Sequence, residues 1–468
     1  MLNKLHYKKL AFIEPIQVFL QVADRSSVIF LDSSKIDENY GRYSFIMFEP
    51  LVSYVAKNPE FKTSNHDNII VYDNLEEAIN SWQNIFRQNQ HATNPDLPPF
   101  SGGLAGYFSY DLSKQLENIE PTTKSIIPNY ILGLYNKVFA FDHIKQECFI
   151  FVNEVYGFEV NVENELQYLS SFLDKAATNK YNPISRDLPF VDVSSNFTKE
   201  EYFAIFKKSQ EYILSGDIYE VNLAQCFSGK ISQNYPKIDL YQKLRHINSA
   251  PFAAYLDLSK IAGFEYQILS ASPERFLSVR QRYVEARPIK GTIRSSNVLK
   301  EDKALIEELA CSEKDRAENI MIVDLLRNDL GKICKVGSIK VSQLCKIESF
   351  TNLHHMVSVI NGELKEDKSI FDIITAAFPG GSVTGAPKIR AMQIIEELEQ
   401  TSRGVYCGSI GYFGFNGNVD LNIAIRTISL ENDWLKFYSG GAITLDSEAN
   451  SEYEESSLKA EKINEVIN

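Results

Sequence analysis

Short apolar runs follow one another along this chain faster than helices can separate them. "SVIFLDSS", "NIIVYD" and "CFIFVNEV" come early; "IYEVNLAQCFSGKI", "QILSASPERFLSV", "RYVEARPIKGTI", "GSIGYFGFNGNVDLNIAIRTISL" and "DWLKFYSGGAITL" come later. A parallel pair of strands needs a crossover of a dozen or more residues, usually a helix. Strands here outnumber such β-α-β alternations, so the pattern predicts an α+β fold of antiparallel sheets covered by helices rather than a doubly wound parallel sheet. Helical periodicity is predicted in "LEEAINSWQNIFRQ", "TKEEYFAIFKKSQEYILSGD", "SEKDRAENIMIVDLLRNDL", "SIFDIITAAF", "GAPKIRAMQIIEELEQ" and "SEYEESSLKAEKINEVI". In the second of these Thr198 is placed to cap the start and Gly216 to end the helix.

At 468 residues the chain is too long for one ordinary core, which leaves two domains or one large interlocked one. Residues 176–198 are polar and hold two prolines, the composition of a linker. The expected division is 1–190 and 191–468. The net charge of −13 repels nucleic acid and anionic membranes, and neither is expected as a partner. No run reaches the roughly 20 apolar residues of a membrane span, and the N-terminus lacks an apolar signal core. The six cysteines include no CxxC pair, which fits buried reduced thiols. The expectation is a cytoplasmic protein.

Several constellations could carry chemistry. Asp315 and Glu318 stand at i, i+3 on one helix, behind Ser312 at capping-box spacing, and Glu452 and Glu455 repeat the spacing on another. Two such helices can hold a hard divalent cation through oxygen ligands; two solvated helical faces, the commoner case, give the same pattern. "PGGSVTGAPKIR" (379–390) is either an anion cradle ahead of a helix or a tight turn with a proline at the first helical turn. It is not a Walker A loop, because Pro387 precedes Lys388 and Ile389 follows it. The glycines of "SGGAITLDS" permit either close ligand approach or a bulge. Arg426, ending an apolar strand, needs an anionic partner. Glu274 in "SASPERF" and His354 and His355 in "LHHMVS" carry no catalytic reading by themselves. Lys290 in "RPIKGTIR" is a solvated strand-end charge or an amine aimed into a pocket.

Together, "SGDIYEVNLAQ", "SASPERF", "RPIKGT", "KDRAENIMIVDLLRNDLG", "HHMVS", "FPGGSVTGAPKIRAM", "RGVYCGSIGYF", "IAIRT" and "GGAITLDS…EYEES" resemble, in order, the chorismate-utilising enzymes. "FLDSS" and "YGRYSF" resemble the companion N-terminal region of the same family. The resemblance implies two large antiparallel β-sheets packed face to face with helices outside, and dependence on Mg²⁺. By motif, Glu318 and Glu455 would be the main metal ligands, with Asp315 and Glu452 behind them through water. Most relatives have glutamate where this chain has Asp315. The metal would take the ring carboxylate of chorismate, while Tyr406, Arg426 and the Gly440–Gly441–Ala442 backbone hold the pyruvyl carboxylate. Many relatives have a third glycine where this chain has Ala442. Thr292 and Lys459 would add contacts, with His355 near the ring. Such a site suits a small dianion.

Within the family, Lys290 does the sorting. Members that form anthranilate read PIAGT here and add ammonia at carbon 2. Members that form 4-amino-4-deoxychorismate read PIKGT, and the lysine takes carbon 2 first so that ammonia attacks carbon 4. The resemblance therefore implies a covalent lysine adduct, with Glu274 as the general acid for the departing hydroxyl. Burial or nearby positive charge would have to depress the Lys290 pKa. Glu220 departs from the pattern: ammonia-using members have glutamine there, water-using isochorismate formers a lysine base. Anthranilate formation thus stays open as an alternative, and isochorismate or salicylate formation as a lesser one. So does a non-catalytic sensor, disfavoured by the survival of the metal, acid and nucleophile positions. No glutaminase motif is present, so ammonia would come from solution or from a separate glutamine amidotransferase subunit in a heterodimer. Ser33, Tyr40, Gly41, Arg42, Tyr43, Pro251, Phe252 and Ala253 match the family's tryptophan pocket; an ordinary packed core is the equal alternative.

Overall fold

The computed structural model describes residues 4–38, 40–58, 68–179, 188–296, 298–349 and 353–468; positions 180–187 of the linker-like stretch lie outside them. Among the described residues the strands form two sheets, of 12 and 11 strands. Pairing is antiparallel except where Val52–Ala56 and Ile69–Tyr72 run side by side. No helix among the described residues is long and apolar enough to cross a membrane.

The alternation of side chains along the strands creates three apolar layers. Between the sheets, Phe45 and Ala140 of the larger meet Tyr107, Ile131 and Tyr412 of the smaller. The outer face of the larger sheet packs against helices Pro15–Val22, Val162–Thr178, Lys237–Ile247 and Ala449–Ile467. The outer face of the smaller sheet packs against Leu75–Asn89 and Glu313–Gly331, in a core that also takes Lys388–Glu399 and the strand Glu220–Lys230 of the larger sheet. The sheets are face to face with helices outside, as the resemblance implied. Each sheet takes strands from both sides of residue 190: Ile29–Asp32 pairs with Phe252–Asp257, and Gly103–Phe108 with Ser409–Gly414.

The predicted helices form, and the caps behave as their chemistry requires. Thr198 accepts from the Glu201 amide and Glu201 reaches back to the Thr198 amide, closing a capping box on Lys199–Leu214. Gly216 follows in the left-handed region, with φ of 80°. Two of the strand-rich runs divide between the sheets. "QILSASPERFLSV" divides into Tyr266–Ser272 in the larger sheet and Arg275–Arg280 in the smaller. "GSIGYFGFNGNVDLNIAIRTISL" becomes Ser409–Gly414 and Val419–Asn422 in the smaller sheet, then Thr427–Glu431 in the larger. Tyr266–Ser272 pairs with Thr427–Glu431, and Arg275–Arg280 with Val419–Asn422. A two-stranded ribbon therefore passes from one sheet to the other, and its bend holds Pro273–Glu274 on one strand and 423–426 on the other.

Candidate active site

The bend of that ribbon forms one wall of a cleft of about 720 Å³. Backbone and hydroxyl hydrogen bonds fix it: the Ile423 amide donates to the Glu274 carbonyl at 3.0 Å, and Ser272 Oγ donates to the Ile423 carbonyl at 2.6 Å. Glu274, Lys290, Thr292, His355, Tyr406 and Arg426 all line the cleft. So do Gly440, Gly441, Ala442 and Lys459, and the carboxylates Asp315, Glu318, Glu452 and Glu455. Every residue the sequence pointed to for catalysis, substrate and metal thus opens onto one space.

Lys290 lies on Ile289–Arg294, at the edge of the smaller sheet. Its Nζ donates to Glu220 Oε1 at 2.7 Å and lies 3.6 Å from Glu318 Oε2. Glu220 is the first residue of Glu220–Lys230 in the larger sheet and is fully buried. Glu220 therefore faces Lys290 rather than solvent. The contact reverses the direction expected for the Lys290 pKa. Burial pulls it down, but the charges of Glu220 and Glu318 overcome burial and raise it. Glu220 Oε2 is buried without a hydrogen-bond partner among the described residues. Glu274 accepts from Ser382 Oγ at 3.0 Å, and burial, against the opposing effects of Ser382 and Lys290, pushes its carboxyl up to about 7.

At the other end, Ser312 caps Glu313–Gly331 by accepting from the Asp315 amide. Gly291, with φ of +79°, lets the lysine strand pass Asp315; a Cβ there would sit 2.9 Å from its carboxyl group. Burial raises the Glu318 carboxyl, opposed by Lys290 and helped by Glu220; burial also raises Glu452, opposed by Ser447 and helped by Glu455. Carboxylates crowded in this way favour a cation, and four oxygen donors suit a hard one. Among the described residues no three His, Cys, Asp or Glu side chains converge as a ready ion site. Carboxylates are the kind of donor that suits Mg²⁺; the four line one cleft without converging, and the side chains would have to close on an ion.

Arg426 occupies the crossover itself, with φ of 50°, a strained setting for a residue other than glycine. It has no carboxylate within ion-pairing distance among the described residues, and the protein packed around it lowers its pKa although the side chain is open to the cleft. His355 Nδ1 lies 2.8 Å from Thr292 Oγ1, and burial, with Arg426 and Lys35 nearby, depresses the imidazole to about 4. The strand period sends His354 the other way, to Ser349 and Asp302. Tyr406 stacks on Tyr438 with centroids 5.1 Å apart. Lys459 Nζ bonds the Gly440 carbonyl at 3.1 Å and Glu455 at 2.7 Å. Beyond Phe437 the strand Trp434–Ile443 pairs with a strand on one side only among the described residues, and its other edge, including Gly440 to Ala442, faces the cleft. Gly440 is required by its neighbour as well: a Cβ would run into the Leu223 carbonyl.

The sequence pattern of the family described as chorismate binding enzyme matches residues 30–465. The chain belongs to this family. It is 36% identical over 436 residues to aminodeoxychorismate synthase component 1 of Escherichia coli, covering 92% of this chain and 91% of that one. It is 34% identical over 461 residues to anthranilate synthase component 1 of Aquifex aeolicus, covering 97% and 92%. Anthranilate synthase component I from Streptococcus pneumoniae superimposes with a TM-score of 0.76 at 29% identity, over 92% of this chain and 94% of that one. The menaquinone-specific isochorismate synthase of Escherichia coli shares the fold, with a TM-score of 0.72 at 16% identity over 100% and 95%.

One feature of this chorismate-binding enzyme's acid was not legible beforehand. Ser382 holds Glu274, and no motif marks a serine as the partner of a distant acid. In the loop around it, Lys388 is buried on Asp329 and on the Ala377 carbonyl. Pro387 stands at the N-cap of Lys388–Glu399, one residue earlier than expected. A separate cavity of about 540 Å³ is lined by Ser33, Tyr40, Arg42, Tyr43 and the Pro251–Ala253 segment; Gly41 does not line it. Ser33 Oγ there is spent on the Tyr43 and Pro251 carbonyls, and Arg42 on Asp142.

Proposed function

We propose that this chorismate-binding enzyme converts chorismate and ammonia to 4-amino-4-deoxychorismate, with the ammonia supplied by a separate glutamine amidotransferase subunit. The observation that carries the reading is Lys290, whose amine lies inside the cleft 2.7 Å from Glu220 and in one cavity with Glu274 and Arg426. The relatives named aminodeoxychorismate synthase component 1 support it.

One carboxylate of chorismate would lie on Arg426 and the strand edge at Gly440 to Ala442, with the Tyr406 ring beside it. The other would face Glu318 and Glu455, with Asp315 and Glu452 behind; Mg²⁺ bound there would neutralise that carboxylate. Glu220 Oε1 is placed to take the proton that Lys290 must lose before attack. The Lys290 nitrogen bonds to carbon 2, the two conjugated ring double bonds shift from carbons 1–2 and 5–6 to carbons 1–6 and 4–5, and the carbon 4 hydroxyl departs as water on receiving the Glu274 proton. Ammonia then bonds to carbon 4, both double bonds return to carbons 5–6 and 1–2, and the bond from carbon 2 to Lys290 breaks. Neutral His355 beside the ring adds no charge to this path.

The test is incubation of the purified chain with chorismate, Mg²⁺ and ammonium, with and without aminodeoxychorismate lyase. 4-Aminobenzoate appearing only with the lyase supports the reading. Direct anthranilate would overturn it, and isochorismate or salicylate formed without ammonia would make Glu220 a base for water.

A further inference from the structure

Asn222 stands in the cleft without a side-chain partner. Asn248, Thr292, Ser382, Tyr438 and Ser439 line the same space, and each side chain is hydrogen-bonded within the protein. The Asn222 carboxamide has no hydrogen bond among the described residues, and its Oδ1 is buried. A carboxamide offers two N–H donors and an acceptor, and leaving them unmade away from water costs stability. The backbone of the same residue is pinned. Its amide donates to the Thr384 carbonyl at 2.8 Å, and its carbonyl accepts from the buried Arg403 at 2.7 Å. A fixed backbone that carries an unpaired amide into a cleft is preorganised for a partner from outside the chain.

Strand pairing indicates that partner. Asn222 lies directly opposite Ala442 where Glu220–Lys230 pairs with Trp434–Ile443. Side chains directly opposite in an antiparallel pair share one face, with Cβ atoms about 5 Å apart. Asn222 is therefore beside one end of the Gly440–Ala442 segment that borders the cleft. Glu220, two residues earlier, is on the same face and accepts from Lys290 at 2.7 Å. Asn222 thus lies between the lysine and the segment that would receive the pyruvyl carboxylate. In chorismate the enol ether arm covers that interval: it runs from the carboxylate to carbon 3, next to the carbon that Lys290 attacks. Its ether and carboxylate oxygens are all acceptors, which matches unused N–H donors. We propose that Asn222 is a substrate-binding residue whose N–H groups donate to the oxygens of the enol ether arm. The inference rests on the reading of the cleft as a chorismate site, but not on which product is formed.

The experiment measures chorismate binding by equilibrium dialysis, with Mg²⁺ and without ammonium, for the parent, Asn222→Leu and Asn222→Ala. Leucine keeps the approximate shape without the hydrogen bonds, and alanine is too small to crowd the strand. In both variants the dissociation constant should rise about 10–100-fold, the range for a lost hydrogen bond to a charged group. The kcat/KM for chorismate should fall by a similar factor, while KM for ammonium stays within about twofold of the parent. The thermal midpoint without ligand is a second readout. Asn222→Leu replaces a buried unpaired amide by apolar atoms, so its midpoint should equal or exceed the parent's. A residue kept only for the fold behaves the other way: its replacement lowers the midpoint and leaves the ligand bound. Unchanged chorismate binding in both variants would overturn the proposal. A raised KM for ammonium with chorismate binding intact would also overturn it, and would assign Asn222 to the incoming nitrogen. A parent that binds no chorismate overturns the reading of the cleft itself, a result distinct from parent and variants binding it alike.

Discussion

Glu274 couples the fold to the chemistry through a single proton. It is buried at a chain bend beside Ser382, and its carboxyl is raised to about 7. A general acid must be protonated to act, so activity should be full below that value and fall as pH rises through it. A kcat–pH profile that stays flat from pH 6 to 9 would remove Glu274 from the role. The same shift has a sign for stability. A carboxyl raised from 4.5 to about 7 stabilises the fold below its unfolded pKa, and that contribution is lost as pH rises through the folded one. Glu274→Gln, neutral at all pH, should therefore gain about 3 kcal/mol relative to the parent between pH 5 and pH 8 in urea unfolding, while losing activity by about 10²–10⁴-fold. Lys290→Ala should abolish both 4-amino-4-deoxychorismate and the chorismate mass adduct on the peptide bearing residue 290, while still binding chorismate by equilibrium dialysis. Each of these residues was visible in a motif. Their partners were not. Glu220 and Lys290 belong to different sheets, and seventy residues of chain give no sign that the two side chains meet.

The site is assembled at the level of elements by two devices. One is the ribbon that changes sheets at Pro273–Glu274 and 423–426. Half of this break was legible, because a proline cannot continue a central strand; the other half, "IAIRT", reads as one apolar run and carries no breaker. The second device is a buried ion pair. Arg403 Nη2 bonds Glu399 and the Asn222 carbonyl at 2.7 Å, and Nη1 bonds the Val383 carbonyl at 3.0 Å, while Glu399 Oε1 accepts from the Ala224 amide. The pair ties the strand of Glu220 to the loop of Ser382, and so holds the base and the acid in one frame. Removing one partner leaves a buried charge, so Arg403→Met should cost about 3–5 kcal/mol in urea unfolding, and Arg403→Met/Glu399→Leu should recover much of it. The two acidic helices make a further prediction at this scale. If their crowded carboxylates receive a cation, Mg²⁺ should raise the thermal midpoint, and Glu318→Gln/Glu455→Gln should abolish that rise. A Mg²⁺ response equal in both proteins would place the metal elsewhere.

The antiparallel character of the whole molecule follows from its strand-rich sequence, but the interlocking does not. Local periodicity says which residues face a core; it says nothing of which strand lies beside which, and here the neighbours come from opposite halves of the chain. The larger sheet runs from Leu5–Ala11 at one edge through Ile29–Asp32 and Phe252–Asp257 to Ser194–Ser195 at the other. The layer between the sheets is likewise shared by residues from before and after 190. Neither half can bury its inner faces without the other, and an exposed strand edge in the separated halves would invite association. The chain should therefore unfold in one calorimetric transition, with near- and far-ultraviolet circular dichroism coinciding. Cleavage near residue 190 should leave the two fragments bound together and active in the chorismate assay. Fragments 1–190 and 191–468 expressed separately should regain activity only when refolded together. Two resolved transitions, or an active 191–468 fragment alone, would mean that the catalytic half carries a sufficient core of its own.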